Sequence, residues 1–186
     1  MNVRLVKWIG LMALVLGITV GASAQQQQQY HQLTASDFAG VPRSNARGVV
    51  AYTNCTIDFK YQVTRRNGGF VLNALVQLLL NSNKSWLDRS RVTTPQQLAE
   101  ILIHEQGHYT IAYLEQQELL RNINKTRFTR NYQYEAMAIF NRIDAKYKQL
   151  NTDYDNNSEH MTNRVQQNSW NLYFQKMLQF MPDLED

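Results

Sequence analysis

Cysteine, proline and glycine are all scarce in this chain of 186 residues, at one, three and eight copies. A single cysteine, Cys55, excludes an intramolecular disulfide, so stability must come from a packed core. Cys55 stands beside an alternating strand pattern and reads as a small buried thiol. Charge of one sign is also lacking. The net charge of +4 falls to +2 once Arg4 and Lys7 are set aside, and no basic run or patch stands out, so nucleic acid is not an expected partner. There is no internal repeat and no second domain boundary, and the apolar stretch near the start is well short of the roughly 20 residues that span a bilayer.

What is present begins with an export signal. Arg4 and Lys7 precede the apolar stretch Trp8 to Val20, and Ala22-Ser23-Ala24 has the small-x-small pattern of a signal peptidase site. Residues 1–24 are therefore expected to be removed, leaving a periplasmic or secreted protein with no membrane association. Gln25 to Gln29 cannot build a core, and residues 25–32 read as a flexible leader. Residues 33–186 are expected to form one domain.

Strand signals come first. Ile57, Phe59, Tyr61 and Val63 alternate with Asp58, Lys60 and Gln62 on a half-buried strand. Arg65 to Gly69 is a turn, and Phe70 to Leu80 a second, more apolar strand. Val49 to Tyr52 is expected to join them in a small antiparallel sheet. Helices follow. Thr94, Pro95 and Gln97 mark the start of a helix of about seven turns. Tyr132, Ala136, Ile139, Phe140, Ile143, Tyr147 and Leu150 form the stripe of a third, plainer segment, which Asn151 to Asn157 should break. Ser158 would then cap a last helix running to about Phe180, with Met161, Val165 and Leu172 on one side. Strands first and helices second predict a segregated α+β domain.

The first long helix carries His104-Glu105-Gln106-Gly107-His108. Histidines at i and i+4 project from adjacent turns toward one point, which suits tetrahedral zinc. The intervening Glu105 is displaced by about 100° around the helix and would serve as general base toward a water that zinc activates. Gly107 costs the helix roughly 1 kcal/mol relative to Ala, which a functional site can explain. A catalytic zinc takes three protein ligands, and Glu115, Glu135, Asp155, Glu159 and His160 are the candidates for the third. Glu115 lies two turns past His108, and Glu135 is off the stripe of its helix. His160 is preferred, because it would open the last helix after a loop; Asp155 is the alternative.

These residues resemble a bacterial family of predicted secreted zinc-dependent proteases within the zincin superfamily of metallopeptidases. The resemblance spans nearly all of the chain after residue 24. It rests on Leu33-Thr34-Ala35-Ser36-Asp37-Phe38, Trp86, His104 to Tyr109, and Tyr154-Asp155 followed by Ser158 and His160, with Gln167 and Trp170 closing the pattern. One departure is Met161, where the family pattern has glycine after the later histidine. The resemblance implies a zincin-like fold, a zinc cofactor and a peptide or protein substrate laid as an added strand along the sheet edge. The expected site is then His104, His108 and His160 on zinc, with Glu105 as base and Tyr154 or Tyr109 donating to the oxyanion. An exported metal-binding module without turnover, and a zinc hydrolase of a non-peptide amide or ester, are the competing readings.

Overall fold

The alternating pattern closes into a long hairpin. In the computed structural model, which describes residues 28–43 and 48–181, strand β2 (Cys55–Arg66) pairs antiparallel with β3 (Gly69–Leu80) from Cys55↔Leu80 to Arg66↔Gly69. Asn67 and Gly68 turn the chain with φ of 48° and 76°, the left-handed pair that a tight hairpin requires. Ile57, Phe59 and Tyr61 face the core with Leu72 and Val76. The signal assigned to residues 1–24 lies outside the described residues. Among the described residues, no helix is long and apolar enough to cross a membrane.

Val49 to Tyr52 does not join this hairpin. Ala51–Tyr52 (β1) pairs instead with Trp86–Leu87 (β4) in a separate two-stranded sheet. Side chains intervene: the Asn54 N–H donates to Ser85 Oγ, and Asn81 Nδ2 donates to Asn54 Oδ1, both at 2.9 Å. The fold is thus α+β, with two small antiparallel sheets followed by three helices among the described residues.

Helix α1 (Pro95–Lys125) starts as expected, with Thr94 Oγ1 accepting from the Gln97 N–H and Pro95 in the first turn. The Gln97 amide oxygen reaches one residue further back, to the Thr93 N–H. The hairpin, α2 (Tyr132–Ser158) and α3 (Arg164–Gln179) all pack on α1, which is why it is buried on several sides rather than along one arc. The leader is also partly fixed. Gln28 bonds both the N–H and the carbonyl of Leu78 through its side chain, and the Leu33 N–H donates to Gln106 Oε1 at 2.6 Å. Residues 25–27 lie outside the described residues.

Helix α2 does not break at Asn151. The apolar stripe through Phe140, Ile143 and Tyr147 continues as Asn151, Tyr154, Asp155 and Ser158 on the same face, so the face turns polar while the helix runs on to Ser158. Tertiary bonds from these side chains outweigh their poor helix propensity. Ser158 therefore ends α2 instead of capping the last helix, and the cap of α3 is Asn163. Between them Glu159, His160 and Met161 have φ of 48°, 49° and 78°. Met161 thus occupies a left-handed position that glycine would adopt without strain. The face expected on α3 is wrong: Val165 and Leu172 are 74% and 60% exposed. The helix instead turns Phe174 and Trp170 onto the Tyr154 ring, at centroid distances of 5.4 and 5.5 Å.

Gly107 has a packing reason. A Cβ built there would lie 2.4 Å from the Tyr154 ring and hydroxyl, on a side chain that is fully buried. Helix propensity alone favours Gly107→Ala by about 1 kcal/mol. The clash reverses the sign, and the variant should be destabilised by about 1–3 kcal/mol, read from urea unfolding. A more stable Gly107→Ala protein would show that α2 does not press on α1 at this point.

Candidate metal centre

His104 and His108 lie one turn apart on α1, and their Nε2 atoms are 3.3 Å apart. Each ring is held from behind. His104 Nδ1 donates to Gln167 Oε1 at 3.0 Å, and His108 Nδ1 donates to Asn151 Oδ1 at 2.8 Å. The orientation of Gln167 is fixed because its Nε2 donates to the Tyr154 hydroxyl and to Asn171 Oδ1. Amide oxygens only accept, so Nδ1 carries the proton in each neutral ring and the Nε2 lone pairs face each other.

Asp155 supplies the third atom. Its Oδ1 lies 3.3 Å from His104 Nε2 and 3.2 Å from His108 Nε2, yet it is buried and has no hydrogen-bond partner. One ligand atom from each of His104, His108 and Asp155 falls within 4.8 Å of the others. Burial works against the Asp155 carboxylate, but the two imidazoles outweigh it and hold its pKa well below the ordinary range. Burial likewise opposes a charged His108, but Asp155 and Glu105 outweigh it and lift that ring to about 9. The pocket calls for positive charge. Three lone-pair donors and an orphaned buried oxygen fit a divalent metal ion.

The remaining candidates divide by position. Glu105 is 3% exposed and accepts a 2.6 Å hydrogen bond from Thr53 Oγ1. It lines, with both histidines and Asp155, a cleft of about 1010 Å³. His160 stands on the rim of that cleft with its side chain 55% exposed, its Nδ1 3.4 Å from Asp155 Oδ1. It is in the left-handed connector, not in the first turn of a helix, and is not among the three converging ligands. The Tyr154 hydroxyl donates to the His104 carbonyl at 2.9 Å, and its ring stacks on His104. Tyr109 is buried against Tyr30 and His31. Glu135 accepts from the Thr129 N–H near the start of α2, about 30 Å of helix from Asp155. Cys55 is half-buried, and burial, with the charges of Glu115 and Glu105, pushes its thiol up to about 12, which removes it as a nucleophile.

Thr53 and Asn151 were not singled out as site residues, and Gln167 had no assigned role. Asn151 shares its spacing with Asp155 and Ser158, so the i, i+4, i+7 repeat was the available signal. Thr53 has none, because its partner is 52 residues away.

Over residues 25–161 the chain matches the family described as bacterial protein of unknown function (DUF922). It belongs to that family. No curated protein and no solved structure matches it. The match includes both histidines, Glu105, Thr53, Asn151, Asp155 and His160, and stops before Gln167.

Equilibrium titration with a divalent transition metal ranks the ligands. His104→Ala, His108→Ala and Asp155→Ala should each weaken binding at least 100-fold, and Gln167→Ala about 10- to 100-fold, as for a residue orienting a ligand. His160→Ala should stay within about tenfold. A larger loss for His160→Ala than for Asp155→Ala would restore the histidine as third ligand.

Glu115, further along the cleft, gives a pH test. Burial first, then the charge of Asp144, pushes its carboxyl up to about 7 against the pull of Lys148. With the folded value above the ordinary 4.5, its contribution to stability is fully present below about pH 4.5 and lost as pH rises through 7. Glu115→Gln should therefore stabilise by about 1–3 kcal/mol at pH 8.5 and by almost nothing at pH 4. Equal effects at both pH values, measured by urea unfolding, would place an ordinary carboxyl there.

Proposed function

We propose that this chain is an exported zinc-dependent metallopeptidase. The observation that carries the reading is the convergence of His104 Nε2, His108 Nε2 and Asp155 Oδ1 beside the Glu105 carboxylate in one cleft. Two imidazoles and one carboxylate with a side open to solvent are a donor set that suits catalytic zinc. Zinc bound there would polarise a scissile carbonyl and acidify water.

The protein's own groups do the rest. Glu105 accepts the proton of the attacking water and returns it to the leaving amine, so the carboxylate ends each cycle as it began. Gln167 and Asn151 keep both imidazoles in the tautomer that leaves Nε2 available. Residues 48–57 line the cleft as one continuous stretch that includes β1, a shape that favours an extended peptide chain. Asp155 takes the ligand place first expected for His160, and Tyr154 serves as a support for His104.

The test uses the zinc-loaded chain and a broad peptide library. Glu105→Gln should retain one zinc and lose about 10²- to 10⁴-fold in cleavage rate, the usual worth of a general base. Full activity in Glu105→Gln refutes the mechanism, and a zinc-loaded unaltered chain that cleaves none of the peptides refutes the function.

A further inference from the structure

Glu105 sits at 3% exposure, and Thr53 gives the one hydrogen bond recorded to its carboxylate among the described residues. Thr53 Oγ1 donates to Glu105 Oε2 at 2.6 Å and lies 3.4 Å from the Glu105 carbonyl oxygen. Nothing about Thr53 is loosely placed. It is the first residue after β1, itself buried, and β2 begins two residues later. The next residue, Asn54, is tied on three sides: its N–H to Ser85 Oγ, its carbonyl to the Asn81 N–H at 2.8 Å, and its side-chain oxygen to Asn81 Nδ2. Ser85 is fully buried and bonds back to Asn81. The segment that separates the two sheets is thus a rigid knot, and what it presents to α1 is the Thr53 hydroxyl.

A carboxylate has two oxygens that exchange by rotation about its last bond, and that torsion is soft. For a general base this matters, because only one oxygen can point at the water. A hydroxyl has one proton to give. Given to Oε2, it leaves Oε1 as the oxygen that exchanges the substrate proton. We infer that Thr53 is a positioning residue for proton transfer, its hydroxyl holding Glu105 Oε2 so that Oε1 faces the reacting water. The inference rests on the metallopeptidase reading, and it assigns the small β1–β4 sheet a place in the mechanism.

Two variants separate the hydroxyl from the shape of the side chain. Thr53→Val keeps the branched side chain and removes the donor; Thr53→Ser keeps the donor. Zinc affinity should stay within about threefold of the unaltered chain in both, because Thr53 touches no ligand atom. In Thr53→Val, kcat should fall about 10- to 100-fold with KM within about threefold, and Thr53→Ser should recover most of the loss. A peptide hydroxamate supplies a second readout, since it binds zinc and hands its proton to the general base. Its affinity should drop about tenfold in Thr53→Val and hold in Thr53→Ser. A crystal structure of zinc-loaded Thr53→Val should show the Glu105 carboxylate rotated. Unchanged kcat, or a carboxylate that keeps its place in that crystal, overturns the assignment of Thr53. An unaltered zinc-loaded chain that cleaves no peptide overturns the function instead, and the crystal structure still decides Thr53.

Discussion

The close approach of α2 to α1 at Gly107 is the contact on which the site depends. With no side chain there, the Tyr154 ring lies directly on the helix backbone, and its hydroxyl reaches the His104 carbonyl. That distance of approach sets where Asn151, one helical turn before Tyr154, and Asp155, the residue after it, meet His108 and the paired Nε2 atoms. Any residue larger than glycine at position 107 would move α2 outward and draw the carboxylate away from both rings. The cost of a helical glycine is therefore met by geometry, not by chain flexibility.

Each residue of the His104–His108 run has a different neighbour, because successive residues on a helix point about 100° apart. His104 meets Gln167 on α3, Glu105 meets Thr53, Gln106 clamps the segment around Tyr30 to Leu33, Gly107 receives Tyr154, and His108 meets Asn151. Gln106, which has no part in ligation, is as engaged as its neighbours: its Nε2 donates to the Tyr30 hydroxyl and the His31 carbonyl. The pentapeptide is a hub for four separate parts of the chain.

This arrangement explains what could be read in advance. The hairpin, the cap of α1 and the apolar stripe of α2 were legible because each is a local pattern of period two or three to four. The two histidines and Glu105 were legible for the same reason. Asp155, not His160, falls beside the two Nε2 atoms because Asn151 to Asn157, a loop by composition, stays helical, with Asn151, Tyr154 and Asp155 engaged in contacts on α1 that no local pattern records. His160 looked like a helix-start residue only because that loop was assumed. The pairing of β1 with β4 was hidden in the Asn54, Asn81 and Ser85 side chains, which divert backbone groups from the longer hairpin.

The partners of the helical run come from far along the chain: 73 residues separate Leu33 from Gln106, 52 separate Thr53 from Glu105, and 63 separate His104 from Gln167. Contacts of such sequence separation close late in folding, since loop entropy must be overcome before they form. A chain that has folded only its hairpin and α1 holds both histidines but neither Asp155 nor the amides that set their tautomers. Any metal ion bound at this triad would thus be held by the finished fold, and a partly folded chain would have little means of holding it.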